Sequence, residues 1–165
     1  MNRKLVLAAL VASVFTAASA TAATTAFDDF LVKIVLTNSC TIVADDLDFG
    51  TPADLTANVD AQTQVHVTCT GANPVSVDFS AGTGGTSTIA AREMDNGSGD
   101  VVSFNIYPDN TYATPLGQTA GTDTIDFTST GNGATDDKDV FGRVPAQTAV
   151  ANGTYTSTVR ATVTF

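Results

Sequence analysis

One histidine, two cysteines and two short runs of aspartate carry most of the reactive side chains in this 165-residue chain. His66 sits in Gln64-Val65-His66-Val67-Thr68, on the polar parity of an alternating stretch. No second imidazole exists and no fixed nucleophile is spaced beside it, so it reads as a surface residue. Asn96-Gly97-Ser98-Gly99 lacks the first glycine of a nucleophile elbow. Gly82-Thr83-Gly84-Gly85 has neither the lysine of a phosphate loop nor a helix after it. Asp45, Asp46 and Asp48, and again Asp136, Asp137 and Asp139, offer hard oxygen ligands of the sort Ca²⁺ takes. Neither run has EF-hand spacing, and both read as solvated acidic loops. Asn96-Gly97-Ser98 and Asn152-Gly153-Thr154 fit the glycosylation pattern simply because both are turns. Two cysteines and one histidine fall short of the four ligands of a structural zinc site. No catalytic, cofactor or metal site emerges, and the expectation is a protein that is not an enzyme.

The two cysteines make more sense once the chain has an address. Arg3 and Lys4 precede an apolar run from Leu5 to Phe15, and Ala18-Ser19-Ala20 or Ala20-Thr21-Ala22 supplies a small-residue cleavage site. Residues 1–22 therefore read as a secretory signal peptide, too short in its apolar part to anchor the protein in a bilayer. In an exported chain Cys40 and Cys69 are most simply a disulfide. Closing that loop restricts the unfolded chain by about 3–4 kcal/mol in the entropic account. About 143 residues remain, enough for one domain with a core. With Arg3 and Lys4 removed, five basic residues face seventeen acidic ones. Such a surface repels nucleic acid and anionic lipid, so neither is expected as a partner.

The elements that must position these residues are strands. Thr154 to Phe165 alternates throughout, with Tyr155, Ser157, Val159, Ala161, Val163 and Phe165 on one parity and threonines with Arg160 on the other. It reads either as an ordinary last strand paired with earlier ones or as a strand whose missing neighbour comes from another molecule. From Ala26 to Ile42 the even positions Phe30, Val32, Ile34, Leu36, Cys40 and Ile42 are apolar, an extended run longer than a usual strand. Leu47-Asp48-Phe49 reads as a short strand, and Gln64–Thr70, Val75–Phe79 and Val101–Tyr107 as clear ones. Thr114–Gly121 and Thr122–Thr128 are shorter candidates, and Asp136–Asp139 a polar loop before Val140–Pro145. Gly, Pro, Asn and Asp turns separate them, and no 3.6-residue apolar period follows the signal peptide. The fold class is all-β, an immunoglobulin-like sandwich.

In this frame the chain resembles the spore coat protein U domain family, the single-domain subunits of archaic chaperone–usher pili. Ser39-Cys40-Thr41-Ile42 with Leu47-Asp48-Phe49-Gly50 carries part of the likeness, and Val65-His66-Val67-Thr68-Cys69 before Gly71 and Pro74 another part. Arg92 and Met94 before Phe104-Asn105-Ile106-Tyr107 and Asp109 are a third. Phe141-Gly142-Arg143-Val144-Pro145, Gln147, Gly153-Thr154-Tyr155 and Val159–Phe165 complete the order. Pro52 stands where the family often has an aromatic residue, and Ser157 where it often has Asp.

The resemblance implies a sandwich lacking its last strand, completed by a donor strand from a partner. Residues 23–33 would be the donor extension, with Phe30, Val32 and Ile34 entering the neighbour, and 34–165 the pilin domain. Tyr155, Val159, Val163 and Phe165 would border the acceptor groove. A periplasmic chaperone, an outer-membrane usher and neighbouring subunits would be the partners, with passage through the periplasm to the cell surface and a role in attachment and biofilm. A secreted coat or matrix protein, or a lectin-like binding module, is the alternative on the same fold.

Overall fold

The computed structural model describes residues 24–148 and 150–165. The expected signal peptide lies outside the described residues. The chain divides after Ile34 into two units. In the first, residues 24–34 are extended and exposed, with no ladder partner.

The second unit, Val35–Phe165, is all β. Its strands are β1 (Cys40–Ala44), β2 (Val59–Cys69), β3 (Pro74–Phe79), β4 (Arg92–Asp95), β5 (Val101–Tyr107), β6 (Ile125–Thr128), β7 (Thr135–Val144) and β8 (Ala161–Thr164). They form a five-stranded antiparallel sheet in the order β1-β2-β7-β5-β4 and a three-stranded one in the order β6-β3-β8. Alternation decides the inner faces: Val65, Val67 and Cys69 of β2, Val102, Phe104 and Ile106 of β5 and Val140 and Val144 of β7 are buried. Val75, Val77 and Phe79 of β3 face them from the other sheet. Two packed antiparallel sheets around one core are the immunoglobulin-like sandwich that the turn spacing predicts.

Cys40 lies directly opposite Cys69 in the β1–β2 ladder, and the two are bonded. The disulfide thus fastens an edge strand to the body of the sheet. Arg92 makes a second fastening. It is fully buried and donates to the carbonyls of Phe79, Ser80, Ile89 and Leu116 and to Oδ1 of Asn105. Burial lowers its pKa to about 10, so it stays charged at neutral pH.

Several elements differ from the sequence reading. Asp136–Asp139 belongs to β7 and not to a loop, because β2 offers each residue a cross-strand neighbour: Asp139 faces Gln64, Asp137 faces His66 and Thr135 faces Thr68. Leu47-Asp48-Phe49 is not a strand. Asp48 Oδ1 accepts from the Gly50 N–H at 2.7 Å and Gly50 has φ +72°, so the backbone turns there. Leu47 and Phe49 instead drop onto Gly142, where a β-carbon would lie 2.5 Å from Leu47 Cδ2 and 2.8 Å from Phe49 Cζ. Thr114–Gly121 forms no ladder, and its neighbour pairs only over Ile125–Thr128. The long first run pairs only from Cys40.

The last segment is also less uniform than its sequence. Thr156 bridges to Asp95 at the edge of the five-stranded sheet, and only Ala161–Thr164 pairs with β3 in the other. Between them the chain passes from one sheet to the other. Side-chain hydroxyls join main-chain bonds there: Thr83 Oγ1 accepts from the Thr158 N–H at 3.0 Å, Ser80 Oγ accepts from the Arg160 N–H at 2.9 Å and the Ser80 N–H donates to the Arg160 carbonyl at 2.9 Å. The parity persists throughout, with Tyr155, Ser157, Val159, Ala161 and Val163 half-buried and the intervening residues exposed.

Candidate docking cleft

Three strands cannot cover the inner face of five. Where the cover stops, an open cleft of about 1110 Å³ enters the second unit. Its floor is the inner face of the larger sheet, with Val65, Val102, Phe104, Ile106, Val140 and Val144. Phe79 contributes from β3, and Leu47, Phe49 and Leu55 from the segment between β1 and β2. Phe49 meets Phe104 edge-on with ring centroids 6.3 Å apart, which fixes that wall. Tyr155, Val159 and Ala161 from the last segment form another. The Tyr155 hydroxyl donates to the Ala151 carbonyl at 2.7 Å, so the ring's polar end is satisfied and its body is free to line the cleft.

Most of this lining is aliphatic or aromatic, and exposed polar residues, Asp45, Asp46, Asp48, Asp54, Thr156 and Thr158 among them, rim it. A trough of that character would take apolar side chains out of water. Among the described residues no three of His, Cys, Asp and Glu converge as a metal site would require. One edge of β8 pairs with β3, and no described strand pairs with the other. Unpaired backbone N–H and C=O groups on an edge are a template for a further strand.

Of the residues expected to border a groove, Tyr155 and Val159 line the cleft. Val163 stands opposite Val77 in the β3–β8 ladder, half-buried against the core, and Phe165 is 53% exposed beyond it. Neither of these two is among the lining residues. Sequence reasoning named only that strand, whereas most of the lining comes from β2, β5, β7 and Leu47–Leu55. Their inward parity was legible, but inward-facing residues of a covered core and of an uncovered one look alike in sequence.

The expected donor residues lie in the first unit. Phe30, Val32 and Ile34 are 85%, 80% and 81% exposed, and Phe27 and Leu31 are also bare. Contiguous exposed apolar patches of this kind are rare on folded monomers.

On the outer face of the larger sheet, His66 stands between two carboxylates. Its Nδ1 is 2.7 Å from Asp137 Oδ1 and its Nε2 3.1 Å from Asp45 Oδ2. These hydrogen bonds, that to Asp137 foremost, raise its pKa. Further along, Arg143 grips Asp60 with two bonds of 2.6 and 2.7 Å and lies 3.6 Å over the Tyr112 ring, holding the Asp60 carboxyl below its ordinary range.

Comparison with known proteins adds an independent line. A search of the curated proteins finds no match. The chain is similar to a chain in the crystal structure of the CsuC–CsuE chaperone–tip adhesion subunit pre-assembly complex from archaic chaperone–usher Csu pili of Acinetobacter baumannii. Identity is 23% and the TM-score 0.53, over 78% of this chain and 40% of that one. This chain therefore spans less than half of that chain's length, and the likeness shows the fold. The Spore Coat Protein U domain, in turn, matches residues 26–162, taking in the exposed apolar stretch and the sandwich as far as the first half of β8. With a match over most of its length and a fold to agree with it, the chain belongs to the Spore Coat Protein U domain family.

Proposed function

We propose that this protein is a structural subunit of a surface pilus of the archaic chaperone–usher type, polymerised by donor-strand exchange. One observation carries the reading: an apolar cleft beside an unpaired strand edge occurs in the same chain as an extended segment of exposed apolar side chains. Phe30, Val32 and Ile34 of one copy enter the cleft of the next, against Tyr155 and Val159 and along the parity that Val163 and Phe165 continue. Residues 23–33 are then the donor extension and 34–165 the acceptor domain. Main-chain hydrogen bonds to the open edge supply affinity, and alternate side chains set the register. Each large apolar side chain transferred contributes at most about 1.5–3 kcal/mol. Joining head to tail without closure gives a filament.

Before assembly the cleft and its edge need cover, and a periplasmic chaperone supplies it, with an outer-membrane usher exchanging it for the next subunit. That the similar solved structure is a chaperone–tip subunit complex supports this part of the reading. Export through the periplasm to the cell surface, and a role in attachment and biofilm formation, follow from it.

Size-exclusion chromatography with light scattering on two forms tests the proposal. One is the chain from residue 23, and the other also carries residues 26–34 after a short linker at its C-terminus. The expected result is an aggregating or unstable first form and a stable monomeric second form. A stable monomer from the first form means that the fold is self-sufficient, and a secreted coat or lectin-like sandwich then takes its place. Phe30→Asp with Val32→Asp is expected to abolish polymerisation, and unchanged polymerisation would remove those residues from the donor role.

A further inference from the structure

The contacts of His66 constrain its protonation. A neutral imidazole has one N–H donor and one acceptor lone pair, whereas carboxylates only accept. Both ring nitrogens lie within hydrogen-bond distance of carboxylate oxygens, 2.7 Å at Asp137 and 3.1 Å at Asp45, and only the imidazolium satisfies both. Charge around it points the same way. Asp45 and Asp46 follow β1, and β7 presents Asp137 and Asp139, the latter receiving the Gln64 amide at 2.8 Å. Lys138, the nearest base in sequence on β7, lies over the Phe127 ring on the other face of the sheet. Arg143 and Asp60 pair with each other at the far end of the β2–β7 ladder. His66, Asp45 and Asp137 keep 28%, 60% and 54% of their side-chain surface exposed, so protons reach them freely.

What the bridge joins gives it a consequence. His66 belongs to β2 and Asp137 to β7, but Asp45 is the first residue after β1 and the start of the segment whose Leu47, Phe49 and Leu55 wall the cleft. Two main-chain contacts tie Asp45 to β2, its N–H to the Gln64 carbonyl at 3.0 Å and its carbonyl to Thr63 Oγ1 at 3.1 Å. The imidazolium adds the side-chain tie.

We propose that Asp45–His66–Asp137 is a proton-operated latch at the mouth of the cleft. Protonated, it holds the Asp45 end of the cleft wall to β2 and β7. On deprotonation the remaining proton stays on Nδ1, toward the closer carboxylate of Asp137, and the Nε2 lone pair faces Asp45. That side repels and the Leu47–Leu55 wall loosens. Because the folded state favours the imidazolium, the tie is complete below the ordinary histidine value of about 6.5 and is lost as pH rises through the higher folded value. The latch stands whether or not the cleft receives a donor strand.

A single histidine makes the test direct, since the stable form with residues 26–34 joined at its C-terminus still gives one imidazole signal to titrate by NMR. Its midpoint is expected above about 6.5, moving down toward that value when Asp45→Asn and Asp137→Asn are combined. Amide exchange over residues 46–55, corrected for intrinsic rates, is expected to speed up about two- to fivefold through that midpoint, the range of an exposed ion pair. In His66→Gln, which keeps a hydrogen-bonding side chain, the corrected profile is expected to be flat. A midpoint at or below 6.5 overturns the proposal. So does a raised midpoint with pH-independent exchange in the native chain, which is an ion pair that latches nothing.

Discussion

Arg92 shows how much one side chain can organise. Its guanidinium reaches four main-chain carbonyls and one amide oxygen, and the Ser80 carbonyl among them belongs to a residue that also bonds Arg160 through both its N–H and its hydroxyl. The buried charge therefore fixes β3's end, β5 and, through Ser80, the last segment beside the cleft. Arg92→Met keeps the bulk of the stem and strands those carbonyls, and a buried acceptor left unpaired costs about 1–3 kcal/mol. A loss on the order of 3 kcal/mol or more is expected in urea denaturation. Arg92→Lys recovers only part of it, since a single ammonium cannot span the same set. Its sequence neighbours do not distinguish this arginine from a surface one. It stands on a short segment beside Glu93 and Asp95, whose charges point to solvent exposure.

Among the elements, β1 lies at the edge of the larger sheet and the last segment passes from that sheet to the smaller one. The disulfide spans 29 residues of sequence and joins β1 to β2 in register. Replacing both cysteines by alanine is expected to lower stability by about 3–4 kcal/mol, read as a lower urea midpoint with intact far-UV circular dichroism at low denaturant. Gly142 allows Leu47 and Phe49 to lie against β7. Gly142→Ala pushes their side-chain ends away and is expected to cost about 1–2 kcal/mol, within the range for overpacking. The Phe49–Phe104 contact should loosen with it, visible as shifts of the Phe49 ring resonances. The turn that makes Leu47 and Phe49 a wall was hidden in the sequence, because an apolar-polar-apolar triplet suits a strand as well as a loop that dips into a core.

The whole molecule is acidic, and its titrating groups act with two signs. Arg143 lowers the Asp60 carboxyl, Ser76 the Asp126 carboxyl and Thr130 the Asp136 carboxyl. Lowered folded values contribute stability that is present above the unfolded value of about 3.9 and lost as pH falls through the folded ones. His66 is raised, so its contribution is present below about 6.5 and lost at higher pH. Self-repulsion among seventeen acidic residues works in the same sense as the histidine. Stability should therefore be greatest between about pH 4 and pH 6.5, and the urea midpoint should be higher at pH 5.5 than at about pH 8. His66→Gln is expected to narrow that difference without removing it.

The faces of most strands were legible in sequence, because a period of two is a local property; the strand count was not, since β4 (Arg92–Asp95) read as part of an Asn-Gly turn. Cys40 with Cys69, the inward parity of β2, β3, β5 and the last segment, and the long apolar alternation before Cys40 all came from reading neighbours along the chain. The remaining features depend on neighbours across the chain rather than along it. Asp136–Asp139 became strand because β2 presented polar partners. The last segment changed sheets because hydroxyls from Ser80 and Thr83 met it on the way. The cleft exists because five strands face three, a ratio that no single strand contains. His66, unremarkable in its own heptad of sequence, acquired two carboxylates only when β1, β2 and β7 were laid side by side.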